Sequence, residues 1–316
     1  MITDDVFAPC LILTGPTGSG KSALALELAP TLNAEIVCMD SMTLYRGMDI
    51  GTAKASAAER ARVPHHLLDV RDPSESANVA WWLERAAEVV RDIVSRGRVP
   101  LLVGGTPLYL KAVLEGLFAG PPADANLRQQ LEADAERLGA EGLHRRLQEV
   151  DPQAASRLHP NDLRRVIRAL EVFHLTGRPI SSWQTQWRSP ASSDANETSS
   201  MPGMPDRCLC LEWPRDDLNR RINDRVDRML QQGWLDEVRE LARRQPPPGK
   251  EARQAIGYRE LFDHLEGLCS LDEARSLIQI RSRQFAKRQR TWFRQLSACQ
   301  MISPELTRIR WGSRIE

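Results

Sequence analysis

The run Gly15-Pro-Thr-Gly-Ser-Gly20-Lys21-Ser22 constrains this chain more than any other feature. An apolar stretch from Ala8 to Thr14 precedes it and reads as a buried strand. The stretch from Lys21 to Ala29 follows and reads as a helix stopped near Pro30. Glycines at this spacing let successive backbone N–H groups converge on an anion, and the following helix adds the positive end of its dipole. Lys21 brings a point charge to phosphate oxygens, and Ser22 a hydroxyl able to ligate Mg²⁺. Gly15, Pro16, Thr17, Gly18, Ser19, Gly20, Lys21 and Ser22 thus form a phosphate cradle of the nucleotide-binding P-loop pattern. The cradle recognises a diphosphate-like group without saying what is attached to it. A small-molecule or nucleoside kinase is therefore the first reading to test.

A second apolar run, Ala34 to Met39, ends at Asp40. A helix is predicted over Trp81 to Ser95, closed by Gly97, and a third strand over Val99 to Val103, ending in Gly104-Gly105-Thr106. Strands that alternate with helices predict an α/β fold, a P-loop NTPase-like parallel sheet flanked by helices. Ligands of such sheets sit beyond the carboxyl ends of the strands. After Gly120 the strand signal stops, and Leu127 to Leu138, Gly142 to Glu149 and Leu163 to Leu175 have helical periodicity. An all-helical insertion is expected over residues 120–204, its last part, Arg188 to Pro205, being a polar loop. Cys208 to Trp213 reads as a returning strand. Helices are predicted over Asp217 to Ala242, Arg259 to Leu265 and Leu271 to Leu296. The core domain then comprises residues 1–119 and 205–316.

Composition mainly excludes. The formal net charge of +1 over 316 residues rules out bulk positive charge as an argument for a nucleic-acid partner, so the placement of Lys and Arg must carry it. Six cysteines occur without a Cys-x-x-Cys pair or a histidine at zinc spacing, and reduced thiols in the cytoplasm are expected. No apolar run reaches membrane-spanning length, and the N-terminus does not read as a signal peptide.

Asp40, at a strand end beside the cradle, is placed to ligate Mg²⁺ or accept a proton; capping the following turn is the plainer alternative. Where an NTPase commonly has a magnesium-binding aspartate, Gly104-Gly105-Thr106 offers two glycines and a hydroxyl, which suits close approach of a ligand better than activation of water. His65-His66 is expected to serve a turn or cap. Arg164 and Arg168 share a helical face with Arg165 beside them, and Glu171 is a partner for either. Between Ala274 and Pro304 there is no acidic residue. There Arg283, Lys287, Arg290 and Arg294 are expected to form a cationic ridge without counter-charges, opposite an apolar stripe of Ile278, Phe285, Trp292 and Leu296.

Several ordered segments resemble the tRNA dimethylallyltransferase family. They are the cradle; Asp40-Ser-Met-Thr-Leu-Tyr-Arg-Gly-Met-Asp-Ile-Gly-Thr-Ala-Lys54; Pro64-His-His-Leu-Leu-Asp-Val-Arg-Asp-Pro73; Pro100-Leu-Leu-Val-Gly-Gly-Thr106; His159-Pro-Asn-Asp-Leu-Arg-Arg-Val-Ile-Arg-Ala-Leu-Glu171; Ala255-Ile-Gly-Tyr-Arg-Glu260; and Arg283 to Arg294. The second and fifth are the most specific. Gly18 stands where the family often has Ala, Ser22 where it often has Thr, and Trp81-Trp82 where it commonly has Phe. The chain resembles the shorter bacterial form. The resemblance implies transfer of a dimethylallyl group from its diphosphate to N6 of the adenosine just 3′ of the anticodon, in tRNAs reading codons that start with U. It implies Asp40 as general base with Thr106 beside it, Mg²⁺ as cofactor held by Ser22, and a cytoplasmic monomer that binds the anticodon stem-loop. Contacts to tRNA are implied at Asp40, Ser41, Met42, Thr43, Thr106, Arg128, Arg164, Arg165, Val166, Ile167, Arg168, Gly257, Tyr258, Arg259, Arg281, Arg283, Lys287 and Arg288.

Overall fold

The structure is a computed structural model and describes residues 6–117, 120–183 and 207–312. In chain order the elements begin with β1 (Leu11–Thr14), α1 (Lys21–Leu28), β2 (Ala34–Cys38), α2 (Ala57–Arg62), β3 (His65–His66), α3 (Val79–Ser95), β4 (Val99–Gly104) and α4 (Pro107–Glu115). Helices follow alone: α5 (Ala125–Val150), α6 (Pro152–Ala155), α7 (Leu163–Thr176) and α8 (Ile180–Trp183). The chain then gives β5 (Cys208–Leu211), α9 (Arg215–Gln231), α10 (Trp234–Ala242), α11 (Lys250–Arg253), α12 (Tyr258–Leu265), α13 (Leu271–Arg294), β6 (Gln300–Ile302) and α14 (Pro304–Gly312). The described residues form two compact units, one up to residue 114 and from 207 onward, the other from 115 to 183. The loop read at Arg188 to Pro205 lies outside the described residues.

The sheet of the first unit has six parallel strands in the order β3-β2-β4-β1-β5-β6. Leu11 faces Leu101 on β4, and Ile12 faces Cys208 on β5, which puts β1 at the centre. Every residue of β1, β2 and β5 is buried. Continuous apolar strands are what a parallel sheet covered on both faces requires. Leu24, Leu28, Ile36, Leu101, Leu209 and Trp311 belong to one core cluster; Tyr45, Met48, Trp234, Tyr258, Phe262 and Ile278 belong to another. No helix among the described residues is long and apolar enough to cross a membrane.

Three expectations change. The helix read over Asp217 to Ala242 is two helices, because Gly233 takes φ 98° and caps α10. His65 and His66 form an edge strand, where His65 faces Ile36 and His66 Nε2 meets Glu35 Oε2 at 2.7 Å. Glu35 is buried, and hydrogen bonds from Arg96, then from His66, outweigh its desolvation and hold its carboxyl down to about 2. A two-residue strand has no periodicity to read. Strand β6, of three residues, was not anticipated either. Within the second unit Gly139, at φ 73°, breaks α5, so its two halves correspond to the two helical stretches read from periodicity.

Candidate active site at the phosphate loop

The loop between β1 and α1 has Gly18 at φ 80° and Gly20 at φ 88°, torsions that side chains avoid. Gly20 caps α1 without a side-chain hydrogen bond, and the first turn of α1 holds no acidic residue. The helix N-terminus is therefore left to an external anion.

Side chains from distant elements hold the loop from outside. Trp213 Nε1 donates to Ser19 O at 2.8 Å, and Arg221 Nε to Gly18 O at 2.9 Å. The Arg221 guanidinium also lies over the Trp213 ring at 4.2 Å. Arg225 Nη1 donates to Thr17 Oγ1 at 3.2 Å. Gln289 Oε1 accepts from Thr17 N at 2.9 Å. Ser19 is buried, and its Oγ has no hydrogen-bond partner. An unpartnered buried hydroxyl in a cradle of amides fits an anion with its bound cation.

Three charges converge here. Burial lowers the Lys21 ammonium to about 8; the Asp40 charge pulls it back up, and Arg225 pushes it down. Burial also lowers Arg225, again opposed by Asp40. Asp40 is half-buried at the end of β2, and its Oδ1 accepts from Met42 N at 2.9 Å. The capping reading of Asp40 is thus real, and it fixes a carboxylate whose charge acts on both cations.

The turn after β4 completes the site. A Cβ at Gly104 would sit 1.8 Å from Met39 O, and one at Gly105 would sit 3.3 Å from Lys21 Nζ. Glycine is required at Gly104 because the ends of β2 and β4 touch. Thr106 Oγ1 accepts from Ser41 N at 3.1 Å, leaving its O–H proton available to donate. Below, Trp82 Nε1 donates to Cys38 O at 3.1 Å and its ring stacks on Tyr109 at 4.5 Å. Ser22 is exposed on the first turn of α1. Among the described residues no group of three His, Cys, Asp or Glu could hold a metal.

The segment after Asp40 is pinned by Glu237. Its carboxylate accepts from Asp49 N at 2.8 Å, Ile50 N at 2.7 Å and Gly51 N at 3.2 Å, and from Tyr258 Oη at 2.7 Å. Thr43 Oγ1 reaches Asp40 O at 3.4 Å, and Met42 packs on the neighbouring core.

The residues expected to face RNA divide. Tyr258 is 1% exposed, so its ring is core and not surface; Gly257, at φ 93°, leads into α12, and Arg259 is exposed. Arg281 pairs with Glu260, and Arg283 Nη1 donates to Asn223 Oδ1 at 2.5 Å. Arg294 meets Glu212 at 2.6 Å and Arg290 the same oxygen at 3.4 Å, so the expected ridge does have a counter-charge, supplied from the end of β5. Lys287 and Arg288 are exposed. The buried face of α13 is Ala274, Ile278, Ala286, Gln289 and Phe293, while Phe285 and Trp292 are half-buried. The expected stripe stepped by seven residues, and a straight helix drifts away from that period.

In the second unit the side chains of Val166 and Ile167 are buried in its own core. Arg128 and Arg168 both pair with Glu171, at 2.9 and 2.5 Å, and Glu171 is fully buried. These cations outweigh its desolvation and hold its carboxyl below the usual range. Arg165 pairs with Asp162 at 3.0 Å, and Arg164 is exposed.

Sequence reasoning missed Trp213, Arg221, Arg225 and Gln289. A signal existed for two of them. Arg225 falls in phase with Leu218, Ile222 and Met229, and Gln289 with Ala286 and Phe293. A polar residue on an apolar stripe calls for a buried partner.

Comparison with known proteins shows the family. The family model described as IPP transferase matches residues 43–296. A tRNA dimethylallyltransferase of Geobacter metallireducens is 51% identical over 286 residues, covering 90% of this chain and 89% of that protein. One of Geobacter sulfurreducens is 49% identical over 294 residues, covering 92% and 91%. The structure of the full-length tRNA isopentenylpyrophosphate transferase of Bacillus halodurans superposes with a TM-score of 0.65 at 40% identity, covering 95% of this chain and 93% of that one. A eukaryotic dimethylallyltransferase acting on tRNA superposes at 0.72 with 28% identity, covering 93% and 73%. With a phosphate cradle beside Asp40 and matches that run along almost its whole length, the chain belongs to the IPP transferase family.

Proposed function

We propose that this enzyme of the IPP transferase family transfers a dimethylallyl group from dimethylallyl diphosphate to N6 of the adenosine 3′-adjacent to the anticodon of tRNA. The observation that carries this is the Asp40 carboxylate, held at the end of β2 by Met42 N, whose charge acts on Lys21 at the phosphate loop and on Arg225, which is hydrogen-bonded to Thr17. The adenine N6 is a weak nucleophile, since its lone pair is delocalised into the ring, and gains strength as a proton leaves. N6 forms a bond to the allylic carbon, the carbon–oxygen bond to diphosphate breaks, and the N6 proton passes to Asp40. Diphosphate departs with the electron pair of the broken bond. Lys21, Arg225 and the amides of Gly18, Gly20 and Lys21 neutralise that leaving group. The Thr106 O–H and the Ser41 backbone orient the base. The Ser22 hydroxyl and the diphosphate would hold Mg²⁺, which supplies further charge neutralisation when bound. The base must leave its stack, a cost offset by contacts along the RNA backbone. Arg259, Lys287 and Arg288, exposed on the first unit, and Arg164 on the second are the cations we assign to those contacts. The protein acts as a cytoplasmic monomer in this reading.

Mass analysis of tRNA nucleosides after incubation with dimethylallyl diphosphate tests the reaction. A dimethylallyl adduct on adenosine is expected. An unmodified tRNA, together with phosphate transfer from ATP to a small acceptor, would replace this reading with a kinase.

A further inference from the structure

The phosphate loop and the turn after β4 are joined by one side chain from far along the chain. Gln289 on α13 is 2% exposed, and both ends of its amide are used. Its Oε1 accepts from Thr17 N at 2.9 Å, and its Nε2 donates to Gly105 O at 2.6 Å. An N–H must donate and a carbonyl must accept, so the amide fits in this orientation alone. A Cβ at Gly105 would lie 2.8 Å from Gln289 Nε2 and 3.3 Å from Lys21 Nζ. The amide therefore packs on the same glycine as the lysine head. Its neighbours on the buried face of α13, Ala286 and Phe293, are apolar. An apolar side chain of similar size would anchor the helix without burying a polar amide, but would leave Thr17 N and Gly105 O unpaired.

We propose that Gln289 is a positioning residue for the diphosphate: it fixes the start of the loop against the Gly105 turn, so that the amides of Gly18, Gly20 and Lys21 and the Lys21 ammonium already converge when the anion arrives. Preorganised donors bind more tightly because ordering is not required on binding. The claim rests on the proposed reaction only in its kinetic readout, because diphosphate binding can be measured without tRNA.

Gln289→Met keeps the volume and removes both hydrogen bonds. The Kd for inorganic diphosphate with Mg²⁺, measured by titration calorimetry, should weaken about tenfold, the equivalent of one lost buried hydrogen bond. The KM for dimethylallyl diphosphate should rise in parallel, while the tRNA Kd stays unchanged. Gln289→Glu supplies a second readout. A protonated carboxyl has an O–H donor and a C=O acceptor in the glutamine positions, whereas the ionised form opposes both Gly105 O and diphosphate. The ratio of variant to wild-type diphosphate Kd at matched pH should approach one in acid and grow as pH rises. A Gln289→Met protein that melts earlier yet binds diphosphate as the wild type does would make the residue a packing element and overturn the proposal. A Gln289→Glu ratio that is flat with pH would overturn it too, and decides alone if the Met variant fails to fold. If the wild type binds diphosphate but leaves tRNA unmodified, the proposed reaction fails while the binding comparison still judges Gln289.

Discussion

The phosphate loop and the basic face of α13 both present positive character, but they are built from different parts. In the loop the donors are backbone amides whose direction is set by glycine torsions at Gly18 and Gly20. On α13 the donors are arginine and lysine side chains, and several are already engaged. Arg281 is held by Glu260, Arg283 by Asn223, and Arg290 and Arg294 by Glu212. A site made of backbone takes its donor directions from its local sequence, even where distant side chains brace it. A site made of long side chains depends on partners that the local sequence does not contain.

The comparison breaks first, and most severely, at Gly104. Gly104→Ala would drive a methyl group to 1.8 Å from Met39 O, so the ends of β2 and β4 must part. Loss of soluble protein, or transferase activity below detection in what remains, is expected from an expression and turnover assay. Near-normal yield and turnover would mean that this approach is not required.

A smaller effect is expected on α13. Lys287→Glu with Arg288→Glu should weaken tRNA binding about tenfold or more and flatten its dependence on salt, because two exposed cations are lost to a polyanion. Arg294→Ala should change binding far less, since its guanidinium is engaged by Glu212. Equal losses in filter-binding titrations would show that the ion pair does not withdraw Arg294 from RNA.

The smallest effect is a pH dependence of the loop itself. Lys21 sits at about 8, below the ordinary lysine value, so its charge is lost as pH rises through about 8. Diphosphate binding should weaken above that pH and should be accompanied by proton uptake near pH 8 to 9, because a bound anion restores the ammonium. Calorimetry in buffers of different ionisation enthalpy reads that uptake. Binding that is constant between pH 7 and about 9.5 would remove Lys21 from this account.

The same contrast explains what could be read in advance. The central strands, the crossover helices and the loop were legible because apolar runs and glycine spacing act locally. Asp40 and Thr106 could be placed near the loop because parallel sheets bring strand ends together. The hydrogen bonds from Thr17 N to Gln289 and from Trp213 to Ser19 were not legible, since each spans most of the chain. Strands β3 and β6 escaped because two or three residues carry no period. Val166, Ile167 and Tyr258 were assigned to tRNA contact from motif membership, and the side chain of each fills a core. Motif membership marks a residue as needed without saying whether it touches a ligand or supports one that does.

Asp40 decides between a loop that merely grips diphosphate and a site that also does chemistry. Single-turnover transfer should be compared for wild type and Asp40→Asn, with binding of tRNA and of diphosphate measured on the same samples. The expected result is a transfer rate lower by about a hundredfold with both affinities nearly intact, the size of a lost general base. Transfer at close to the wild-type rate would contradict the assignment of the proton to Asp40.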